Sequence, residues 1–501
     1  MTIAILIDSS YMRTPAYVWR AINDDVREVC SVIERDQIFI NGKWVPSAGT
    51  DVIGVINPVT EERVATIPAG TAADVDLAAR AAAEAFPAWS RTSVDERAAF
   101  LRKLADLTEQ RSDDITRAVV SEIGQPYAVA AQSQGASAVE DLLSIADSLP
   151  EIIWEEQVGH TVVAREAAGV VGAITPWNGP MRMICMKAGA AMAAGCTVVL
   201  KGTEVAPLSS FIFAEMVAEA GLPDGVFNLV SGTGPEVGEA IVTHPLVDMV
   251  SLTGSVRAGR RVMELASQSV KKVALELGGK SANVILEDAD LARAIEVGIE
   301  DAFRNSGQVC GGLSRVLVPR SRLAEAEEIA IRKAESYVLG DPYDPATTLG
   351  PVANVHQRQR IRDYIRSGLD EGVRLLTGGP DAPEGLDRGF FVRPTVFSGD
   401  NTSRVAREEI FGPVVVIIPF DDEEDAFRIA NDTQYGLAGA IWAGDDDRAR
   451  ALARKLRTGR IRINGSPVNQ RAPHGGFKLS GIGREFGRYG IEEFLEYKSI
   501  G

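Results

Sequence analysis

From Ala168 onward the chain alternates short apolar runs with stretches whose apolar positions return every three or four residues. The first pattern belongs to strands buried on both faces, the second to helices packed against a sheet. Read this way, the sequence predicts strands at 169–175, 197–200, 226–230, 248–252 and 272–277, separated by helices at 180–194, 209–220, 235–243 and 257–269. A second unit of the same kind begins after Lys280, with a strand at 282–286, a helix at 290–305 and a strand at 316–319. It continues through helices at 323–338 and 354–371 and strands at 414–419, 438–442 and 460–463. Ahead of both lie a hairpin at 37–45 with Asn41-Gly42 at its turn and two helices at 73–86 and 94–121. Residues 155–167 read as an extended arm outside the main sheet, and the tail 491–500 as a strand able to pair with a neighbour's edge. Residues 1–36 form an extension to which the sequence assigns no role.

Strand-helix alternation of this kind specifies an α/β fold with two doubly wound sheets. Ligands of such sheets bind beyond the carboxyl ends of the strands. The predicted boundaries place Asn178, Lys201, Ser255 and Glu276 on one such rim.

Composition narrows the classes of function. The 501 residues are too many for one ordinary core, and 45% hydrophobic with 24% charged residues is a globular balance. A formal net charge of -17 argues against a nucleic-acid partner, which would draw on clustered Lys and Arg. The four cysteines, Cys30, Cys185, Cys196 and Cys310, and the four histidines show no metal-ligand spacing, so no metal is expected. The longest apolar run, 183–200, contains Lys187 and is rich in Ala and Gly, which reads as packed helix and strand and not as a membrane span. Asp8 and Arg13 interrupt any secretory signal, and a cytoplasmic location is expected.

Cys310 lies in Asn305-Ser306-Gly307-Gln308-Val309-Cys310-Gly311-Gly312, where the glycines allow close approach to the backbone. It reads either as a nucleophile in an open polar pocket or as a small buried hydrophobe. Glu276, between Leu275 and Leu277 at a strand end, is desolvated, which raises a carboxyl toward the range of a general base; the alternative is a structural pair with Lys280 or an arginine. The Asn178 amide suits an oxyanion donor or a helix cap. Gly254 and Ser255 open a helix directly after a strand, which suits an anion site or a plain N-cap. Lys201 and Glu204 stand where dinucleotide sites read ribose hydroxyls, and a carboxylate there repels a 2′-phosphate, favouring NAD over NADP; a solvated surface pair is the other reading. The segment Gly232-Thr233-Gly234-Pro235-Glu236-Val237-Gly238 is a decoy, with one residue too many for the dinucleotide fingerprint.

Taken in order, Pro176-Trp177-Asn178, Lys201 with Glu204, Gly254-Ser255 with Gly259, Glu276-Leu277-Gly278-Gly279, Gly307-Gln308-Val309-Cys310 and Glu409-Ile410-Phe411-Gly412-Pro413 resemble the motif series of the NAD(P)-dependent aldehyde dehydrogenase superfamily. The 34 positions from Glu276 to Cys310 match as well, as do Asn464 and the stretch from Gly475 to Glu485, and the resemblance runs from about Gln37 to the C-terminus.

The resemblance implies a Rossmann-like cofactor domain (37–150 and 168–279), a catalytic domain (280–488) and an oligomerisation hairpin and strand (151–167 and 489–501) in a homodimer or homotetramer. It implies an aldehyde substrate, NAD as cofactor with NADP possible, Cys310 as nucleophile, Asn178 as oxyanion donor and Glu276 as the base that activates water. Glu485 would support that base. The implied cofactor-binding set is Thr175, Pro176, Trp177, Lys201, Glu204, Gly254, Ser255, Gly259, Leu277, Glu409 and Phe411. Departures from the common pattern are Gly179, which should widen the tunnel mouth, Gly202 in place of proline, His474 in place of an aromatic, and Arg182. Arg182 is expected to face solvent, the other reading being a tunnel cation for polar aldehydes. Transfer of the acyl group to coenzyme A and a catalytically silent binding protein are the rival readings. The retained Glu276 argues against the first, and Cys310, Glu276 and Asn178 together argue against the second.

Overall fold

A computed structural model describes residues 32–501. The extension therefore lies mostly outside the described residues. Its end does not: Ile33–Glu34 adds a short parallel strand beside Arg63–Pro68, which pairs in turn with Val52–Ile56.

The first large sheet is built on five parallel strands in the order Lys272–Glu276, Met249–Thr253, Val170–Ile174, Thr197–Lys201, Phe227–Leu229. Chain order reverses on either side of Val170–Ile174, so the rim beyond its carboxyl end is a topological switch point. The hairpin Gln37–Ile40 and Lys43–Pro46 extends one edge, with Asn41 and Gly42 both at positive φ as its tight turn requires. At the other edge Gly481–Ile482 pairs antiparallel with Lys272–Glu276. Residues from the far end of the chain thus complete the sheet that carries Glu276.

A second sheet of seven strands runs Arg374–Thr377, Thr395–Ser398, Val414–Phe420, Arg315–Pro319, Ala282–Ile285, Ala438–Trp442, Arg460–Ile463, parallel except for the first. Both sheets read as continuous apolar strands because helices cover their faces. The arm forms the strands Glu155–Val158 and Thr161–Ala167, and the tail strand Leu495–Ile500 pairs with the latter within the same chain.

The expected helix at 94–121 is two helices, Val94–Gln110 and Ser112–Ile123, because Arg111 leaves helical geometry at φ -95, ψ 12. Helix 180–194 is likewise interrupted by a wider turn over Cys185–Gly189. Among the described residues no helix is long and apolar enough to cross a membrane.

The second sheet is tied to its helices by Arg315, whose buried guanidinium donates to the carbonyls of Lys280, Ile429 and Ala430 and to Asn401 Oδ1 at 2.8–3.0 Å. Substituting Arg315→Met orphans those acceptors while relieving a buried charge, and is expected to lower stability by about 3 kcal/mol. A urea midpoint within error of the wild type would contradict that.

Candidate active site

Helix Leu291–Phe303 stops where Asn305, Ser306 and Gly307 take left-handed φ in succession, at 51°, 56° and 75°. Left-handed backbone is costly for residues with a Cβ and persists only where the surroundings hold it. Here Ser306 Oγ donates to the Gly350 carbonyl at 2.7 Å, and the Gln308 side chain donates to the Asn305 carbonyl and accepts from Ala353 N, both at 2.9 Å. Gly307 has no alternative, because a Cβ there would fall 2.0 Å from the Gly412 carbonyl carbon. The turn presents Cys310, partly buried, with the Gly279 backbone against its carbonyl.

Asn178 reaches the same turn from the other sheet. Its Nδ2 donates to the Gln308 carbonyl at 2.9 Å, and Asn305 Nδ2 donates back to the Asn178 carbonyl at 3.1 Å. An amide nitrogen carries two hydrogens, so one N–H remains for a substrate oxygen.

Glu276 is 6% exposed, and neither of its oxygens has a hydrogen-bond partner. Burial raises its carboxyl well above the usual range, the nearby Glu485 adds to this, and Lys187 and Arg484 oppose it. The structural pairing with Lys280 is not formed: Lys280 Nζ is itself buried without a partner, and burial pushes it down to about 7. His474 is the basic side chain that approaches Glu276, with Nε2 3.7 Å from Oε2. The Cys310 thiol is pushed up to about 11 by burial and by the negative fields of Glu276 and Glu409, while Arg460 pulls it down. The open polar pocket expected for this thiol is therefore a desolvated one.

Glu485 lies one layer out. Its carboxylate holds Lys187 Nζ at 2.7 Å, Lys187 also donates to Ser251 Oγ at 3.0 Å, and the Glu485 backbone exchanges two hydrogen bonds with that of His474. Lys187 and Arg460 were not singled out as site residues from sequence. Lys187 had one signal, a lone cation inside the longest apolar run.

The expected cofactor residues gather on the rim. Lys201 Nζ contacts Glu204 Oε2 at 2.5 Å, with Lys201 buried and Glu204 about one-third exposed, so this is not a solvated surface pair. Thr175 N donates to the Lys201 carbonyl, Gly254 N donates to the Glu276 carbonyl, and the hydroxyls of Thr175 and Thr253 are buried without partners. Ser255 Oγ caps its helix by accepting from Ala258 N at 3.2 Å, while its residue is exposed. Gly259 is required by packing, since a Cβ would fall 2.6 Å from Leu277 Cδ1. Pro176 and Trp177 follow Thr175, and the Trp177 ring meets Phe411 edge-on at 5.4 Å, with Phe411 at φ 63. Glu409 accepts from Gly279 N at 3.2 Å and is pushed up to about 7 by burial. The segment from Gly232 is, as its extra residue suggested, a helix start capped by Thr233.

Arg182 does not face solvent. It holds Asp141 Oδ2 at 2.7 Å, donates to Gln470 Oε1 at 2.7 Å and lies over the Phe486 ring. The reason is Asp141, a buried carboxylate that needs a counter-ion. Gly179 is not forced by packing, since a Cβ would make only ordinary contacts from 3.6 Å, whereas at Gly202 it would fall 2.0 Å from Ser210 Oγ.

The aldehyde dehydrogenase family model matches residues 44–500, and the chain belongs to that family. It is 47% identical to a 3-succinoylsemialdehyde-pyridine dehydrogenase of a Pseudomonas species over 93% of this chain and 98% of that one. Among solved structures, aldehyde dehydrogenase C of Pseudomonas syringae, a cysteine-to-alanine mutant complexed with NAD+ and octanal, superposes with a TM-score of 0.92 at 45% identity, covering 93% of this chain and 96% of that one. A Mycobacterium tuberculosis aldehyde dehydrogenase complexed with NAD+ does so with a TM-score of 0.92 at 42% identity, covering 94% and 98%.

With its thiol pushed up to about 11, Cys310 in the free protein is protonated at neutral pH. Its alkylation by iodoacetamide, followed by peptide mass spectrometry, is expected to accelerate about tenfold per pH unit between roughly pH 7 and 10, and Arg460→Met to slow it at fixed pH. A rate flat across that range would show the thiolate already formed.

Proposed function

We propose that the chain oxidises an aldehyde to a carboxylic acid with NAD, through a thioester on Cys310. The observation that carries this reading is the reciprocal hydrogen bonding of Asn178 with the Cys310 turn, which leaves an amide N–H at the turn of a thiol whose proton affinity is raised by burial and by Glu276. The Cys310 thiol gives up its proton to solvent and the sulfur adds to the aldehyde carbon. The oxygen that becomes negative is met by the spare Asn178 N–H and the Cys310 backbone N–H. What the dinucleotide supplies, when bound, is the hydride acceptor. Glu276 then takes a proton from water as the oxygen adds to the thioester carbon, the C–S bond breaks, and the acid leaves with the thiolate restored. A base for this step must have a raised proton affinity, and the desolvated Glu276 does.

The rim fits the dinucleotide through its unpartnered Thr175 and Thr253 hydroxyls and the Lys201–Glu204 pair, which would hold the adenosine ribose. Glu204 repels a 2′-phosphate, which favours NAD. Glu409 and Phe411 would hold the nicotinamide end, and Trp177 and Ser255 the pyrophosphate. The sheet of the arm and the tail leaves Val158, Tyr497 and Ile500 exposed, an apolar surface suited to a second copy in a homodimer or homotetramer.

Octanal, present in one structural neighbour, is the first aldehyde to test, followed by aromatic and carboxylated ones. Cys310→Ala is expected to abolish NADH formation with NAD binding retained; residual turnover would remove the nucleophile assignment. In Glu276→Gln, turnover is expected to fall by about 100-fold and the acyl-enzyme to accumulate by mass. Added coenzyme A should not raise product formation, and an acyl-CoA product would favour the acylating rival. Glu204→Ala should narrow the NAD to NADP ratio of kcat/KM, and an unaltered ratio would move that preference elsewhere.

A further inference from the structure

A general base needs an aim as well as a raised proton affinity, and Glu276 has no hydrogen bond to supply it. Its carboxylate rests in a cradle made by residues 474 and 475. Oε1 lies over Gly475, where a Cβ would come within 2.8 Å, and Oε2 faces His474 Nε2 at 3.7 Å. Gly475 takes φ 156, which leaves that side open to the carboxylate.

The imidazole is fixed from behind. Its backbone is bonded in both directions to Glu485, and its ring packs at 5.3 Å on Phe486. His474 Nδ1 is buried with no partner, so the ring has one nitrogen free to accept and one directed at the carboxylate. A displacement of Oε2 by about 0.8 Å would bring the pair to hydrogen-bond distance.

We propose that neutral His474 donates its Nε2–H to the ionised Glu276 carboxylate and thereby aims that base at the hydrolytic water. This rests on the reading of Glu276 given above and adds a positioning residue to it. His474 stays neutral because the ring is desolvated and is surrounded by Arg460, Arg182, Arg484 and Lys187, which push its proton affinity down to about 3. Glu276 and the Glu485 carboxylate face the same space, the latter already held by Lys187, and Glu493 adds to the negative field at Glu276. A relay through imidazolium is therefore uphill, and a donor role is what remains.

Donation to the charged form lowers a carboxyl's pKa, so its removal raises that pKa. Hydrolysis requires the ionised form. The acid limb of deacylation therefore moves to higher pH when the donor is lost, and the plateau above it falls because the ionised base is no longer aimed.

The test uses p-nitrophenyl acetate, an activated ester that acylates a reactive thiol without dinucleotide, on the full chain. The burst reports acylation of Cys310 and the steady rate reports its hydrolysis. His474→Phe keeps a ring against Phe486 and removes the donor; His474→Gln restores an N–H donor. The expected result for H474F is a normal burst, an acid limb raised by about one pH unit, a steady rate about tenfold lower below that limb, and a plateau at high pH that stays below the wild type. H474Q should return the limb to near its wild-type place. An unshifted limb, or H474Q behaving as H474F, would overturn the proposal. E276Q run in parallel separates the two levels: if it hydrolyses the acyl-enzyme as fast as the wild type, the base assignment fails and this inference falls with it. If E276Q is slow while H474F is unchanged, only the role of His474 is lost. Should H474F not fold, nitrogen-15 histidine NMR of the wild type, with H474Q assigning the resonance, decides the matter. The proposal requires a neutral Nε2–H tautomer down to about pH 5, and an imidazolium or an Nδ1–H tautomer overturns it.

Discussion

The site depends on a reciprocal pair of hydrogen bonds between elements of different sheets. Asn178 gives one amide hydrogen to the Gln308 carbonyl and receives, at its own carbonyl, the amide of Asn305. Each gains a partner outside its own loop. The left-handed turn at Asn305 and Ser306 is unfavourable by itself, and the Asn178 bonds add to the Ser306 and Gln308 side-chain bonds that hold it. Joined, they set the thiol and the amide in one rigid relation, so their separation is not left to the motion of one sheet against another.

Around that clamp the charges are arranged with little mutual neutralisation. Glu276, Glu409 and Lys280 are desolvated titratable groups, none with a salt-bridging partner of its own, and their proton affinities are displaced toward neutrality. Paired charges sit one layer further out, in Lys187 with Glu485 and Arg182 with Asp141. The inner groups are left able to exchange protons, and the outer pairs keep the shape of the cavity.

Much of this was legible in the linear pattern. Parallel strands buried on both faces leave uninterrupted apolar runs, and strands such as Ala438–Trp442 and Val414–Phe420 fall where the runs predict them. Strand ends put Asn178 and Glu276 on one rim, and it was the family resemblance that added Cys310 to them; the structure bonds Asn178 to the Cys310 turn. What the pattern lacked was anything decided by a distant partner. The strands Val52–Ile56 and Arg63–Pro68 were not among those predicted: they are short and partly exposed, and the apolar run Val52-Ile53-Gly54-Val55-Ile56 gave no sign of the strand it pairs with. The break at Arg111 interrupts a helix whose apolar periodicity carries on across it. Arg182 looks solvent-facing on its own helix and is drawn inward by Asp141, 41 residues earlier. The contact of His474 with Glu276 joins positions with no local relation, and only the fold puts them side by side.

The pairing of Gly481–Ile482 with Lys272–Glu276 bears on how the molecule is made. During synthesis the strand that carries Glu276 emerges long before its edge partner, and the cradle at His474 and Gly475 also comes from the last part of the chain. The first sheet can collapse early, but Glu276 stays at an open edge, exposed to water, until the ribosome has nearly finished. Its displaced proton affinity is therefore a property acquired last, and a nascent chain stalled before that segment would carry Glu276 as an ordinary, solvated carboxylate at the edge of the first sheet.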